Sequence, residues 1–265
     1  MNDIYEEIQR LRQSNESAAL ATLISISGST PRSQGSKMLI RQDGDILGSI
    51  GGGILEARML EEARHVIRKG IPKLFDFDLA DRNDDGMICG GKAKIYIEPI
   101  VPLPTLFIFG GGHISFYLSR IGKMAGFRVV VIDDRKEYAN PERFPEVDQT
   151  IACNFTDVFS QLTINDFSYV IIVTRGHAYD QTVLEWAAGT DARYIGMIGS
   201  RTKIKKTYEN LAAKGFSEDS LNEVHAPIGI DINAETPEEI AVSIIAEVIN
   251  IRRSGNTHKK SLCIA

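Results

Sequence analysis

The sequence predicts an α/β protein, with a doubly wound parallel sheet in the C-terminal part and a smaller α+β domain before it. Three observations carry this. Beyond residue 104, continuous β-branched runs (TLFIF, RVVVI, YVIIV, YIGMI) alternate with helical patterns, as expected of strands buried on both faces by crossover helices. Before residue 100, strand patterns are separated by turn signals and interrupted by only two helical stretches. Between the two, PIVPLP at 99–104 holds three of the nine prolines. Proline fixes its own φ and biases the preceding residue toward extended backbone, so this segment reads as a stiff linker. The domains are expected at 1–100 and 101–265.

The first domain opens with an amphipathic helix at 3–13 that places Ile4, Ile8 and Leu11 on one face. A strand at 18–27, the turn-rich GSTPRSQGS and a second strand at 37–40 follow. Asp43-Gly44 is a hairpin signal leading into ILGSI. Gly51-Gly52-Gly53 then precedes a helix whose apolar face runs Leu55, Met59, Ala63, Val66, and strands at 73–79 and 93–100 close the unit.

In the second domain, the strand at 105–109 passes through three glycines into a helix at 113–125, and RVVVI (128–132) ends at Asp133-Asp134. A short strand at 147–152 and a small helix at 156–161 come next. The strand at 169–173 leads to a helix at 179–188, and the strand at 194–198 to one at 201–214. Thr236, Pro237 and Glu239 form the capping box of a last helix, with Ile240, Ile244, Ile245, Val248 and Ile249 on its apolar face.

Composition narrows the function. A net charge of -5 lacks the positive field that nucleic acid or an anionic membrane requires. No apolar run approaches the ~20 residues of a spanning helix, and MNDIYEEIQR does not read as a signal peptide. Cys89, Cys153 and Cys263 are odd in number and far apart, so no disulfide framework is expected and a reducing cytoplasm is the simplest home. Zinc-type Cys/His spacing, a nucleophile elbow and a Walker A loop are all missing from the sequence.

The strongest local signal is FGGGHIS at 109–115, between a strand and a helix. Gly110 permits a tight turn, Gly112 permits close approach of a pyrophosphate, and the helix start beginning at His113 offers free N–H donors. Asp133 stands 23 residues after Gly110, where an acid accepts hydrogen bonds from ribose hydroxyls, with Asp134 beside it. Ser115 departs from the third glycine of this fingerprint. The pattern describes a Rossmann-like domain and leaves three readings open: NAD(P), another nucleotide or pterin-like ligand, or a turn kept for packing alone. Arg175 and His177 follow the strand at 169–173, and Ser200 and Arg201 follow the strand at 194–198, so the same crevice is expected to gather them. The arginines suit phosphate and the histidines proton transfer; loop capping and packing are the competing roles.

In the first domain, Arg32 and Lys37 lie in a turn-rich loop, and Gly51, Gly52 and Gly53 precede a helix. Basic groups beside exposed backbone amides suit a small anion, although a solvated hairpin explains them equally well. Glu56 falls in that helix's first turn, where it favours the dipole. Cys89 sits in GMICGGK beside Gly90 and Gly91. A thiolate there suits a soft metal or a sulfur relay, and Lys92 would lower its pKa; the alternative is an inert packing thiol.

Taken together these segments resemble the xanthine dehydrogenase accessory protein family, XdhC/CoxI. The resemblance rests on GSTPRSQGSKMLI (28–40), GSIGGGILEA (48–57), GMICGGKAKIYIEP (86–99), FGGGH, VIDDRKEYANPERFP (131–145), TRGHAYDQTVLE (174–185), IGMIGSRTK (195–203) and HAPIGIDINAETPEEIAVSIIAEVI (225–249). It implies a cytoplasmic, homodimeric maturation factor that binds molybdenum cofactor and supports its sulfuration and insertion into a molybdenum hydroxylase. The implied partners are that client enzyme, of the xanthine dehydrogenase kind, and a cysteine desulfurase. Many relatives carry cysteine where this chain has Ile54, which leaves Cys89 as the motif cysteine. Arg32, Lys37, the Gly51–Gly53 loop and Cys89 would hold the cofactor if they face one cleft, expected between the domains. An NAD(P)-dependent oxidoreductase built on the C-terminal domain is the competing function.

Overall fold

A computed structural model of the chain describes residues 3–14, 16–28, 33–78 and 91–254. It divides into two units, Met1–Leu103 and Pro104–Ala265. In the first, helix α1 (Ile4–Gln13) starts at Asp3, whose carboxylate accepts the Tyr5 N–H at 3.0 Å. Glu6 and Glu7 in its first turn and Arg10 and Arg12 in its last match the helix dipole. Strands β1 (Ala18–Gly28), β2 (Lys37–Arg41) and β3 (Ile46–Gly48), helix α2 (Ile54–Lys69) and strands β4 (Lys73–Asp78) and β5 (Gly91–Ile100) follow. The strands form an antiparallel sheet in the order β3-β2-β1-β5-β4.

Period-two alternation gives this sheet two apolar faces. Ala19, Ala21 and Leu23 of β1 pack with Ile95 and Ile97 against Met59, Ala63 and Val66 of α2. Ala18 and Leu20 point the other way, where Leu39 and Leu11 of α1 cover them. The predicted faces of both helices are therefore the ones buried.

In the second unit, β6 (Thr105–Phe109), α3 (His113–Met124), β7 (Arg128–Asp133), β8 (Gln149–Ala152) and α4 (Phe155–Val158) come first. Then follow β9 (Ser168–Ile172), α5 (His177–Ala187), β10 (Tyr194–Met197), α6 (Arg201–Ala213), α7 (Glu218–Asn222) and α8 (Pro237–Ser254). The five strands are parallel in the order β10-β9-β6-β7-β8, so the chain reverses its direction of winding between β6 and β9. Leu118 of α3 and Ala241, Ile244 and Val248 of α8 cover one face, and Val183 and Leu184 of α5 with Ile204 and Leu211 of α6 cover the other. This is the doubly wound α/β fold expected from the sequence.

Several bounds differ from the sequence reading: β5 starts at Gly91 and not at 93, β8 at Gln149 and not at 147, and two helices depart as well. Helix α5 starts at His177, two residues before the expected 179, because the extended backbone of Gly176 ends the preceding loop there. Helix α7 is not among the expected elements; at five residues it is too short to show a periodic pattern, and Ser217 caps it by accepting the Ser220 N–H at 3.1 Å.

A buried polar cluster fastens α8 to the edge of the sheet. Residues 225–228 run alongside β10, with the His225 N–H donating to Ile195 O (2.8 Å) and the Met197 N–H to His225 O (3.0 Å). Glu247 on α8 accepts the Tyr194 hydroxyl at 2.6 Å and the Gly229 N–H at 2.8 Å, and lies 3.0 Å from Nδ1 of His225. Burial pushes the Glu247 carboxyl up, but the bonds from His225 and Tyr194 outweigh it and leave its pKa below the ordinary 4.5. The Tyr194 phenol is raised well above 10 by burial and by the facing carboxylate.

Glu247→Ala should cost about 3 kcal/mol, since it leaves a buried hydroxyl and a backbone N–H without their acceptor. Because the folded pKa of Glu247 is depressed, the wild-type advantage is full above the unfolded value of 4.5 and disappears as pH falls through the lower folded value. Urea unfolding of both proteins at pH 7 and pH 4 checks this; equal midpoints at pH 7 would refute it.

Candidate functional site

Each unit carries a glycine-rich turn at the start of a helix, and each turn is organised around a carboxylate. In the first unit, β1, β5 and β4 run past the start of β2: Lys37 pairs Thr22 in the middle of β1 and Met38 pairs Gly48, whereas Gly28 pairs Gly91 and Asp78 pairs Lys92 farther along. Lys37 reaches across to Thr22, with Nζ 3.1 Å from Oγ1, and its carbonyl accepts the Ser49 N–H at 3.0 Å. Lys37 and the turn at Ser49–Gly53 thus adjoin one another, and Gly91 lies farther along β1 at its Gly28 end. Arg32, Cys89 and Gly90 lie outside the described residues; the strands that flank them, β1 and β5, meet at the Gly28–Gly91 pair.

Gly51, Gly52 and Gly53 have φ of 145°, 80° and 64°, a run of positive values that only glycine adopts readily. The turn wraps the first-turn residue of α2. Oε1 of Glu56 accepts the Ser49 hydroxyl at 2.6 Å and the N–H groups of Ile50 and Gly52 at 3.2 and 3.0 Å. The Ser49 hydrogen bond, together with these backbone donors, holds the Glu56 carboxyl below its ordinary range against the effect of burial. Glu56 does more than complement the helix dipole: it is the anion that the glycine turn binds.

In the second unit, the carboxyl ends of the parallel strands present Gly110–His113, Asp133–Arg135, Thr174–His177 and Gly199–Arg201. Gly110, at φ 111°, lies where β6 and β9 diverge, and a Cβ there would overlap the Val173 carbonyl. Ser115, at the third glycine position of the fingerprint, is fully buried and donates its hydroxyl to Gly110 O at 2.5 Å, closing the turn from the helix side. Gly112 caps α3, and a Cβ added there would meet open space.

Asp133 is buried and accepts the Gly111 N–H at 2.8 Å, the Arg135 N–H at 3.0 Å and Arg135 Nε and Nη2 at 2.9 and 3.1 Å. Burial acts to raise its pKa, and the Arg135 and Gly111 donors lower it further than burial raises it. Asp134 accepts from Arg175 Nη2 at 2.6 Å, and Arg175 also donates to the Tyr179 hydroxyl at 3.2 Å. Of the predicted crevice residues, Asp134 and Arg175 are therefore the pair brought into contact.

Thr174 donates its hydroxyl (2.7 Å) and its N–H (3.2 Å) to buried Asp180, whose pKa burial raises in spite of these bonds. Ser200 caps α6 by accepting the Lys203 N–H at 3.4 Å. His113 and Arg201 are exposed at the first residues of α3 and α6, and His177 is half-buried at the first residue of α5.

Sequence reasoning did not single out Arg135, Tyr138 and Arg143, or the Tyr194–His225–Glu247 cluster. Arg135 was recoverable, since a guanidinium two residues after an acid at a strand end is placed to pair with it. The other groups come together across 22 to 53 residues of sequence, and no local pattern marks them. Cys153 is half-buried, and burial followed by the charge of Asp157 raises its thiol pKa, the opposite of a reactive setting. Among the described residues no group of three or more His, Cys, Asp or Glu is placed to hold a metal, and no helix is long and apolar enough to cross a membrane.

Comparison with known proteins gives concordant results. The family described as the XdhC Rossmann domain matches residues 106–248, and the XdhC and CoxI family matches residues 11–78. A protein of Escherichia coli K12 described as uncharacterized protein YqeB is 32% identical over 95% of this chain, which spans about half (47%) of that protein's length. A probable xanthine dehydrogenase subunit from Bacillus subtilis 168 is 23% identical, with 96% of this chain and 98% of that protein covered. The molybdenum cofactor insertion chaperone PaoD of Escherichia coli K12 is also 23% identical, over 90% and 85% of the two chains. A crystal structure described as that of a xanthine dehydrogenase from Bacillus halodurans shares the fold, with a TM-score of 0.53 at 23% identity over 95% of this chain and 96% of that one.

The Glu56 arrangement predicts an anion rescue. Glu56→Ala should lower stability by about 1–2 kcal/mol by emptying the turn. Added sulfate should then raise the melting temperature of the variant more than that of the wild type, as the free N–H groups take an external anion. Equal sulfate responses would show that the turn does not select anions.

Proposed function

The chain belongs to the XdhC and CoxI family, and from that premise we propose that it matures a molybdenum hydroxylase of the xanthine dehydrogenase kind. In this reading it binds molybdenum cofactor as cargo, supports its sulfuration with a cysteine desulfurase as sulfur donor, and passes it to the apo-enzyme. It acts as a homodimer in the cytoplasm. The names of two relatives, a molybdenum cofactor insertion chaperone and a probable xanthine dehydrogenase subunit, support the reading.

One structural observation supports the site assignment: Lys37 adjoins the Ser49–Gly53 turn, its carbonyl accepting the Ser49 N–H, beside the strand β1 that runs on to the Gly28–Gly91 pair. The cargo joins an anionic phosphate to a metal held by soft sulfur. A carrier for it needs a cation, backbone donors and a thiol in reach of one another. Lys37 supplies a cation, the Ile50 and Gly52 N–H groups of the turn are donors that the cargo phosphate would take over from Glu56, and in sequence Arg32 follows β1 and Cys89 precedes β5. Within the proposal, Arg32 and Lys37 meet the phosphate and Cys89 contacts the metal or carries sulfur. The glycines at 51–53, 90 and 91 allow close approach.

The oxidoreductase reading rests on the turn at Gly110–Gly112 and on Asp133 as a ribose acceptor. The engagement of all of Asp133's bonds within the chain weighs against it.

Titration of the purified protein with intact molybdenum cofactor, and separately with NAD and NADP, tests the proposal. Saturable cofactor binding is expected, weakened about tenfold or more in Cys89→Ala, with loss of client activation but normal binding to the client. Tight dinucleotide binding without affinity for molybdenum cofactor would replace this reading with the oxidoreductase.

A further inference from the structure

We infer that Arg135, Tyr138 and Arg143 are specificity-determining residues that close the ribose side of the Gly110–Gly112 turn, making this Rossmann domain one that refuses dinucleotides. The fingerprint acid is saturated. Oδ1 of Asp133 accepts the N–H and Nε of Arg135, and Oδ2 accepts the Gly111 N–H and Arg135 Nη2. Two bonds on each oxygen use the lone pairs that lie in the carboxylate plane, and the side chain is 2% exposed. The vicinal hydroxyls of a ribose are neutral donors. They would have to displace a guanidinium whose two side-chain N–H groups span both oxygens with charge-assisted bonds.

The glycine turn is covered from the same side. A Cβ on Gly111 would run into the Tyr138 carbonyl, so the Tyr138 backbone rests on the Gly111 Cα. The Gly111 carbonyl accepts Arg143 Nε at 3.0 Å. Its N–H is held by Asp133, so the N–H, Cα and C=O of the central glycine are all engaged by the chain itself.

The covering segment is held firmly. The Arg135 guanidinium lies 3.5 Å from the centre of the Tyr138 ring, and Arg143 lies 5.3 Å from the same centre. The Tyr138 N–H donates to Arg135 O at 3.0 Å, and Phe144, next to Arg143, is buried in the core. The segment therefore sits where the adenosine half of a dinucleotide would lie, with Arg135 in the place of the ribose. The turn keeps its shape because Asp133 and Arg135 supply internally the contacts that a ligand supplies elsewhere.

The inference does not depend on the maturation role, because its test uses NAD and ADP-ribose and not the cargo. The full chain is titrated with both in wild-type, Arg135→Ala and Asp133→Asn forms, and amide hydrogen exchange at Gly111 is followed without ligand. The wild type should show no saturable binding of ADP-ribose, and Arg135→Ala should bind it saturably, about tenfold or more tighter than the upper limit set by the wild-type titration. Asp133→Asn should speed exchange at Gly111 while the wild type remains protected, the mark of an acid that anchors the turn. Arg143→Ala loosens the segment from its other end and replaces Arg135→Ala if that variant does not fold. Saturable binding of ADP-ribose or NAD by the wild type would overturn the inference, and its loss in Asp133→Asn would show the acid meeting the ribose. So would the absence of any gain in both arginine variants, since the exclusion would then lie elsewhere.

Discussion

The Asp133 carboxylate, sealed at the end of β7 with a donor for each of its acceptor positions, governs how the second unit is built around its sheet. In a doubly wound sheet, every strand ends and every helix begins along the same edge, so backbone N–H groups without partners accumulate there. A nucleotide phosphate or ribose often satisfies some of them. Here Asp133 reaches back to the Gly111 N–H, and Arg135 neutralises the buried charge that this requires. The rest of the edge follows suit: Asp180 takes Thr174, Ser200 caps α6 and Asp134 pairs with Arg175.

The first unit solves the same problem with the same chemistry. The turn with its three successive glycines aims the N–H groups of Ile50 and Gly52 inward, and Glu56 in the first turn of α2 supplies the negative charge. In both units a glycine-rich turn of a kind often read as a ligand site is shaped by an internal carboxylate. The two differ in what surrounds the anion. Asp133 is locked by a guanidinium and an aromatic ring, whereas Glu56 is held by a hydroxyl and two backbone N–H groups, with no cation hydrogen-bonded to it among the described residues.

The buried Glu247 cluster has a different task. A parallel sheet ending at β10 would expose an edge that other strands can join. Residues 225–228 cover that edge, and the carboxylate from α8 holds them there through His225 and Gly229. Gly196 and Gly229 make room for this arrangement: a side chain on Gly196 would overlap Ile228, and one on Gly229 would overlap Ser243. The segment HAPIGIDINAETPEEIA thus gains much of its distinctive character from a structural duty, edge protection.

The sequence by itself determined the class of the fold, the order of its strands and helices, and the family. β-branched runs, helical periodicity, capping residues and glycine turns are local features, and the forces behind them act within a few residues. It also pointed to the strand ends where Lys37, Asp134 and Arg175 would lie, because a parallel or antiparallel topology carries such residues to an edge whatever their partners. Only the tertiary structure decided what those residues do. The partner of a carboxylate is chosen by distance and burial across tens of residues of chain, as for Asp133 with Gly111 and Glu247 with Tyr194. A fingerprint of glycines and an acid reads the same whether the acid faces a ribose or an arginine. The side chains of Arg135 and Arg143 and the backbone of Tyr138, folded over Gly111, make it the second.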